Sequence, residues 1–442
     1  MTWARIMLMK LSRQVAVLGL VCAWLSPAQA QLEIEITRGM GSRTPVAVVP
    51  FTWEGTAGEA PFDVSAMIGA DLHRSGRFGP IDEDKMLQKP ASGAEVDFDD
   101  WSILGVEALI IGSVTQTGDN AYTIQFQLFD IFRKEQLVGY RMPASRGTMR
   151  IAAHRAADMI YEKLTGIPGV FGTKVTYVTA RGTASDRTYS LIVSDVDGEN
   201  DNVIMESNYP IMSPAWSPDS RRLAYVSFEG RRSTVFVQTL RTGNRIKVSS
   251  KPGINGSPAF SPDGRKLVLT LGGSDGNPDI HVLDLATREL KRLTTHSAID
   301  TEGTWTPDGQ EIYFTSDRSG GPQVYKVSAT GGTAERVTFE GSYNARPRLS
   351  PNGEKLAVVH LDRGNYRIAV LNLKTRDLLV VSAGKQDESP SFAPNSDSLI
   401  YATHEGREGV LETVSADGLI RQRLASAAGD VREPVWSPFP RF

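Results

Sequence analysis

The sequence predicts a six-bladed β-propeller that follows a small α/β domain and is closed by the C-terminal strand. A proline-containing motif returns six times in the second half of the chain, with its second proline at positions 218, 262, 307, 351, 394 and 438. This nearly constant spacing of 43 to 45 residues indicates a repeat architecture. Within each period, short apolar runs alternate with turn residues, which is typical of the four antiparallel strands of a propeller blade.

The two ends of the repeat region predict how the ring closes. Three strand-like runs, 174–178, 190–193 and 202–205, precede the first repeat and lack an inner strand of their own. One inner-strand motif, 433–438, stands alone at the other end. Together they make one four-stranded blade, so we expect the last strand to pair with the first and leave no open sheet edge.

The segment before the repeats has the features of an exported α/β domain. Basic residues precede an apolar run over 15–25, and Ala28 and Ala30 form a cleavage motif, which predicts a signal peptide over 1–30. An uncleaved anchor and acylation of Cys22, the only cysteine, are the less favoured alternatives. We expect an N-terminal α/β domain over 31–165, a linker over 166–173 and the propeller over 174–442.

Three strands and two helices are predicted inside that domain. Buried strands are expected at 45–51 and 108–112, and a half-exposed strand at 122–129, where apolar and polar residues alternate. The periodicity of 63–73 predicts a helix with one apolar face, formed by Val64, Met67, Ile68 and Leu72. A closing helix over 151–164 is predicted to group Ile151, Ala152, Arg155 and Met159 near one face.

Composition and motifs argue against nucleic-acid binding and against catalysis. The net charge is −3 and becomes −6 without the signal peptide, and no basic stripe is present. The six histidines show no metal-ligand spacing. Residues 272–276 fit the G-x-S-x-G nucleophile motif, but they lie between two predicted strands rather than between a strand and a helix. We therefore predict that the chain is not an enzyme.

The loops that lead into the inner strands carry the candidate binding groups, because such loops gather at one mouth of a propeller channel. Their acidic residues are either solvated rim charges or a negative funnel for a cation or a basic partner segment: Asp300, Glu302, Asp387, Glu388, Asp430 and Glu433. Apolar and hydrogen-bonding residues share these loops, which favours a protein interface: Tyr209, Ile211, Ile254, Asn255, Ile299, Thr301, Tyr343 and Asn344.

Four strings carry a specific resemblance: DLHRSGRF at 71–78, LTGIPGVF at 164–171, SDVDG at 194–198 and PIMSPAWSPD at 210–219. With them the chain resembles the TolB family, periplasmic propeller proteins of the Tol–Pal system of Gram-negative bacteria. The likeness extends over the chain after the signal peptide, including domain order and blade count. It implies a non-enzymatic, monomeric periplasmic adaptor that acts in outer-membrane integrity and in constriction during cell division.

The resemblance also implies partners. The family's propeller mouth binds the peptidoglycan-associated lipoprotein Pal, its extreme N-terminus binds TolA, and colicins and outer-membrane proteins are further candidate partners. No cofactor is required, although a calcium ion can occupy the channel. The implied Pal site is Ile254, Asn255, Ser257, Thr301, Glu302, Tyr343, Asn344, Asp387, Glu388 and Asp430. The implied TolA segment, whose alternation suits strand addition, is Leu32, Glu33, Ile34, Glu35 and Ile36.

Two other classes of protein carry similar repeats. A serine peptidase of the prolyl oligopeptidase type is the main alternative, but it needs a hydrolase domain with nucleophile, acid and histidine. The roughly 135 residues between the signal peptide and the propeller contain no nucleophile elbow. A propeller lyase or sugar-binding protein is the second alternative, and oligosaccharide binding would distinguish it from an adaptor.

Overall fold

The computed structural model describes residues 43–440 except 57, 184–185, 273–275, 407 and 425–428. They form an α/β domain followed by a six-bladed propeller, which confirms the predicted fold. None of the described helices is both long and apolar enough to cross a bilayer.

The N-terminal domain is a mixed β-sheet with helices on both faces. Its strands are β1 (Thr44–Val48), β2 (Thr52–Glu54), β3 (Phe78–Pro80), β4 (Ala108–Gly118), β5 (Ala121–Asp130) and β6 (Glu135–Ala144). They lie in the order β3-β1-β4-β5-β6, with β2 also paired to β4. The helices are α1 (Val64–Arg74), α2 (Phe98–Ile103) and α3 (Met149–Thr165), with 3₁₀ turns at Glu83–Lys85, Gly93–Glu95 and Arg146–Thr148. Helices α1 and α3 cover one face of the sheet, and α2 covers the other.

The two long helices differ in how well their buried faces were predicted. In α1, Val64, Ile68 and Leu72 are buried as expected. In α3 the predicted face is only partly correct, because Ala152 is buried but Ile151 is 43% exposed. The buried residues of this helix are Met149, Ala152, Ala153, His154, Ala156, Ala157, Ile160 and Tyr161. Alanines on this side let α1 pack closely against α3, so small residues rather than the largest apolar one mark the contact face.

The propeller consists of six four-stranded antiparallel sheets. Blade 1 contains β7 (Lys174–Thr183), β8 (Asp186–Asp195) and β9 (Asn202–Ser207); blade 2 contains β10 (Ile211–Trp216), β11 (Arg222–Ser227), β12 (Thr234–Thr239) and β13 (Arg245–Ser249). Blade 3 contains β14 (Asn255–Phe260), β15 (Lys266–Gly272), β16 (Pro278–Asp284) and β17 (Leu290–Arg292); blade 4 contains β18 (Asp300–Trp305), β19 (Glu311–Ser316), β20 (Gln323–Ser328) and β21 (Glu335–Arg336). Blade 5 contains β22 (Asn344–Leu349), β23 (Lys355–Asp362), β24 (Asn365–Asn372) and β25 (Leu378–Val380); blade 6 contains β26 (Glu388–Phe392), β27 (Ser398–Glu405), β28 (Glu408–Ser415) and β29 (Arg421–Leu424).

The C-terminal strand closes the ring, as the sequence predicts. Strand β30 (Asp430–Trp436) pairs antiparallel with β7 and becomes the inner strand of blade 1. Trp436 is buried, and its indole N–H donates to the Thr173 hydroxyl at 2.8 Å. The six inner strands contact one another in a closed circle around the axial channel.

The repeated motif forms the turn between the first two strands of a blade. In blade 3 the Ser261 hydroxyl donates to Asp263 at 2.6 Å and accepts from the Lys266 amide at 2.9 Å. The same hydroxyl–carboxylate pairing recurs in blades 2 and 4, with an asparagine as acceptor in blade 5. Four of the six copies therefore satisfy their own turn, whereas the copy in blade 6 has Ala393 at the position of the hydroxyl residue.

The N-terminal domain lies over the end of the propeller where these turns gather. Arg77, between α1 and β3, pairs with Asp397 in the blade 6 turn at 3.0 Å. Asn395 in the same turn donates to Pro168 O at 3.0 Å. The loops that lead into the inner strands emerge at the opposite end, so the described part of this domain does not cover the mouth that they form.

Candidate functional site

Every inner strand contains a β-bulge at the same position. At the bulge a non-glycine residue adopts a left-handed conformation with φ between 46° and 60°. We call these six residues the channel ring: Ser213, Ser257, Glu302, Arg346, Ser389 and Glu433. A left-handed conformation costs a non-glycine residue about 1–3 kcal/mol, and bulges of this kind redirect side chains at functional positions.

Arg346 holds the ring together across the channel. Its Nε donates to Glu302 Oε1 at 2.9 Å, and its Nη1 donates to the Ser389 hydroxyl. Its Nη2 lies 3.5 Å from Glu433 Oε1, and the second oxygen of Glu433 accepts from the Ser213 amide at 3.1 Å. Burial lowers the pKa of Arg346, but Glu433 and Glu302 together raise it above its usual value. The guanidinium is therefore charged and neutralises carboxylates from two other blades.

Two of the predicted Pal-binding residues are buried inside their own blades. Asn255 is 1% exposed; it donates to Lys251 O at 2.7 Å and accepts from the Ser249 hydroxyl at 2.6 Å. Asn344 is fully buried, donates to Glu340 O at 2.8 Å and bonds to His360 at 2.9 Å. Both side chains hold the loop that precedes the inner strand, so they shape the mouth rather than present a polar group at its surface.

The acidic residues at the corresponding positions of blades 4 and 6 are also buried. Asp300 is fully buried and pairs with Arg318 at 2.7 Å. Asp387 is 1% exposed and accepts from the Thr403 hydroxyl at 2.5 Å and the Gly384 amide at 2.9 Å. The interpretation of these two residues as rim or funnel charges is therefore wrong. Short acidic and amide side chains suit loop positions because they accept from nearby backbone N–H groups.

Ile211 is 2% exposed and packs in a blade core, so its prediction as a binding residue is wrong. The other predicted residues lie at the mouth with accessible atoms. Ile254 is 48% exposed, and its neighbour in the next blade, Ile299, is 50% exposed. Thr301 is half-buried, with its hydroxyl 3.3 Å from that of Thr270. Asp430 is half-buried and pairs with Arg432 at 2.6 Å.

A cavity of about 440 Å³ opens at the mouth between blades 4, 5 and 6. Tyr343 and Tyr366 meet edge to face on its wall, with ring centroids 5.1 Å apart. The cavity also contacts the channel ring, and its full lining is Glu302, Tyr343, Arg346, Val359, Tyr366, Gln386, Asp387, Glu388 and His404. Four of the ten predicted Pal-site residues thus share one cavity, while Ile254, Asn255, Ser257 and Thr301 do not line it.

Arg346, Ser389 and Ser213 were missed as site residues, and Glu433 was noted only as a loop charge. A signal for all of them was present, since aligning the six motifs places these residues in one column, just before the first proline or, in blade 4, before Gly303. That column contains serine three times, glutamate twice and arginine once. Its charged members are the residues that meet in the channel.

A calcium ion in the channel, as implied by the resemblance, would have to share the ring carboxylates with Arg346. Calcium takes six to eight oxygen ligands. The two ring carboxylates are already engaged by Arg346. Within the described part of the chain, a set of three close metal-ligating groups occurs only elsewhere, at His154, Asp195 and Asp197.

Two sequence-based interpretations concern residues that the structure describes partly or not at all. The TolA segment, 32–36, lies outside the described residues. The G-x-S-x-G match, 272–276, includes residues 273–275, which also lie outside the described part of the chain. Gly272 ends β15 and pairs with Pro278, the first residue of β16, so the element that follows the match is a strand rather than the helix that a nucleophile elbow requires.

These features define a closed six-bladed propeller with a strained, charge-paired ring and with exposed apolar groups at the mouth formed by its loops, a class that binds other molecules through those loops. Family models describe the two halves: residues 32–137 match the TolB amino-terminal domain, and residues 161–440 match the TolB beta propeller domain. The chain belongs to the TolB family, and so it is a component of the Tol–Pal system and not an enzyme.

Individual relatives agree with this assignment. The Tol-Pal system protein TolB of Xanthomonas oryzae pv. oryzae (strain MAFF 311018) is 47% identical over 413 residues, covering 93% of this chain and 94% of that protein. The protein of the same name from Xanthomonas campestris pv. campestris (strain 8004) is 48% identical over the same length. The crystal structure of TolB from Acinetobacter baumannii is 39% identical, with a TM-score of 0.85, and covers 92% of this chain and 100% of that one.

Proposed function

We propose that the chain is a periplasmic adaptor that binds the lipoprotein Pal at the propeller mouth and TolA through residues 32–36. In this role it would serve outer-membrane integrity and constriction during cell division. Membership of the TolB family supports a role in the Tol–Pal system, and the predicted signal peptide supports a location in the periplasm. We further propose that it acts as a monomer and that colicins or outer-membrane proteins compete for the mouth.

The observation that carries the Pal proposal is the combination of apolar anchors with a charged centre at the propeller mouth. Ile254 and Ile299 are each about half exposed. The Tyr343–Tyr366 pair stands beside the channel ring. Protein interfaces obtain most of their affinity from such aromatic and aliphatic anchors, while polar groups around them determine orientation.

Ile254 offers the sharpest test, because a second isoleucine provides a matched control. Ile246 is 52% exposed but lies on β13, the outermost strand of blade 2. Ile254→Asp should weaken binding of soluble Pal at least about tenfold, which corresponds to roughly 1.4 kcal/mol. Ile246→Asp should leave the affinity within about twofold. Titration calorimetry measures both, and equal affinities of the two variants would contradict the assignment of the mouth.

Glu302→Arg is a less specific probe of the same site. Glu302 accepts from the Arg346 side chain at 2.9 Å and from its backbone amide at 3.0 Å. Charge reversal would place two guanidinium groups together and disturb the ring itself. We expect a loss of Pal affinity of about 2–5 kcal/mol, accompanied by reduced stability, so the isoleucine pair separates binding from folding more cleanly.

The TolA proposal rests on the alternation of apolar and polar residues in 32–37, which suits addition to a sheet edge or docking in a groove. Short terminal segments detach at low cost. The mature protein without residues 31–39 should therefore stay folded and keep its Pal affinity while losing TolA binding. Retained TolA affinity in a folded deletion variant would assign that contact to another surface.

A further inference from the structure

A cluster of charged and ligating side chains lies where α1 and α3 meet blade 1, at the end of the propeller opposite the mouth. His154 on α3 is 2% exposed, and Asp195 and Asp197, at the end of β8 and just after it, are 6% and 3% exposed. We propose that these three residues form a site for a divalent transition-metal ion, with Zn²⁺ as the probe, that joins the two domains. This site is independent of Pal and TolA binding.

The three ligating atoms already have a suitable spacing. One ring nitrogen of His154 and one oxygen of each aspartate all lie within 4.8 Å of one another. His154 Nε2 is 3.7 Å from Asp197 Oδ2. In a tetrahedral zinc site with bonds of about 2.0–2.1 Å, ligand atoms are separated by about 3.4 Å. A small closure would therefore bring the atoms to coordination distance and leave a fourth position for water.

The orientation of the histidine ring supports this assignment. His154 Nδ1 lies 2.7 Å from Asp71 Oδ2, and Asp71 also accepts from Arg74. Because the carboxylate is an acceptor, the proton of a neutral ring belongs on Nδ1, which leaves Nε2 with a free lone pair. His154 Nε2 is buried and has no hydrogen-bond partner. Metal-binding histidines show this pattern, with one nitrogen donating to a carboxylate and the other directed at the ion.

A lone pair that faces carboxylate oxygens is unfavourable unless a cation lies between them. In the present arrangement that cation is Arg150, whose Nη2 donates to Asp197. Its Nε lies 3.5 Å from Asp195 Oδ2, yet it is buried without a hydrogen-bond partner. The guanidinium therefore fits the position incompletely. Its side chain is 22% exposed, so it can turn toward solvent when an ion enters.

The charge balance makes Arg150 a competitor of the ion. Three aspartates, Asp71, Asp195 and Asp197, face three fixed cations, Arg74, Arg150 and Lys174. Arginine cannot lose its proton, so an ion can bind only if one cation leaves. The imidazole ligand favours zinc and related metals over calcium or magnesium, which prefer an all-oxygen shell.

The test is calorimetric titration of ZnCl₂ into the metal-free mature protein, produced without a histidine tag. The wild type should bind one zinc ion per chain. His154→Gln removes a ligand and should weaken zinc binding by more than about tenfold, because loss of a residue that only hydrogen-bonds to a ligand can already cost that much. Arg150→Gln should bind more tightly than the wild type. A purely structural ion-pair network would not produce these opposite effects. His73→Gln, a partly exposed histidine on α1 that bonds to Arg43, is the matched control and should bind like the wild type.

A second measurement keeps the proposal testable if His154→Gln folds poorly. Co²⁺ bound by one nitrogen and two carboxylates in a four-coordinate site absorbs visible light strongly. The Arg150→Gln variant should show this absorption, and the further change Asp197→Asn should abolish it. The absence of stoichiometric binding in both the wild type and Arg150→Gln, or unchanged zinc affinity in folded His154→Gln, would overturn the proposal.

Discussion

The channel ring and the cluster around His154, Asp195 and Asp197, which we call the domain-interface cluster, both contain carboxylates that pair with an arginine. They differ in origin and surroundings. The ring carboxylates come from equivalent bulges in repeated strands, and their side chains remain 13% to 18% exposed beside apolar residues at the mouth. The cluster carboxylates come from two domains, and their side chains are at most 9% exposed. Exposure beside apolar anchors suits a partner surface, whereas burial around an unpartnered imidazole nitrogen suits an ion.

Deletion of residues 431–442 should have the largest effect, because β30 supports both regions. It contributes Glu433 to the ring and pairs with β7, next to the strand that carries Asp195. Loss of the buried Trp436 alone should cost about 3–5 kcal/mol. We expect aggregation or a far lower Tm by calorimetry. The control is a variant that lacks only residues 439–442, which leaves β30 complete, and its Tm should be close to that of the wild type. Similar Tm values for the two truncated variants would argue against ring closure as the main source of stability.

Removal of the ring arginine should distinguish a structural ring from loose surface charge. Arg346→Met leaves Glu302 and Glu433 without their shared cation. The unfolding free energy should fall by about 2–3 kcal/mol. This loss is at or below the lower end of the range for breaking a buried ion pair, because the arginine side chain remains 26% exposed. Urea denaturation measures the loss. Adding Glu302→Gln and Glu433→Gln should restore much of it, and a triple variant no more stable than Arg346→Met would show that charge compensation is not the reason.

Stability should also depend on pH through Asp158, which lies one turn after His154 on α3. Burial raises the pKa of Asp158 to about 7, although the Phe171 and Gly172 amides donate to it. The unfolded value is near 3.8, so the native state alone holds this proton between about pH 4 and pH 7. The contribution of Asp158 to stability therefore declines as pH rises through that window.

Asp158→Asn removes this titration and provides the comparison. Between about pH 5 and pH 7, the unfolding free energy of the wild type should fall relative to the variant by up to about 1.4 kcal/mol per pH unit. Urea denaturation of both proteins at several pH values measures the difference. A constant difference across this range would show that Asp158 is ionised in the folded protein.

The smallest effect is expected at the outer edge of the cluster. Lys174 pairs with Asp195 at 2.6 Å, but its side chain is 45% exposed. Burial raises the pKa of Asp195, whereas hydrogen bonds from Lys174 and Asn200 together lower it below its usual value. Lys174→Met should therefore cost only about 0.2–1 kcal/mol of unfolding free energy. The same variant should bind zinc slightly more tightly, and weaker zinc binding would contradict the role of fixed cations as competitors.

The sequence by itself determined the number of blades and the strand pairing that closes the ring. The spacing of the repeated motif predicted six blades, and the unpaired strands at the two ends predicted that β30 would pair with β7. These features are local: in four of the six copies the turn is satisfied within its own motif, as Ser261 and Asp263 illustrate, so periodicity is enough to predict them. The apolar face of α1 was predictable for the same reason.

Only the tertiary structure decided which charged residues meet. Arg346 reaches Glu302 and Glu433, which are 44 and 87 positions away, and His154 reaches Asp71 across 83 positions. Asp300 and Asp387 could be placed in the correct loops, but not recognised as buried, because their burial depends on neighbouring strands rather than on their own segment. Local hydrophobic patterns determine strands and turns, whereas closing the ring and docking the second domain determine which polar groups lose water and find partners.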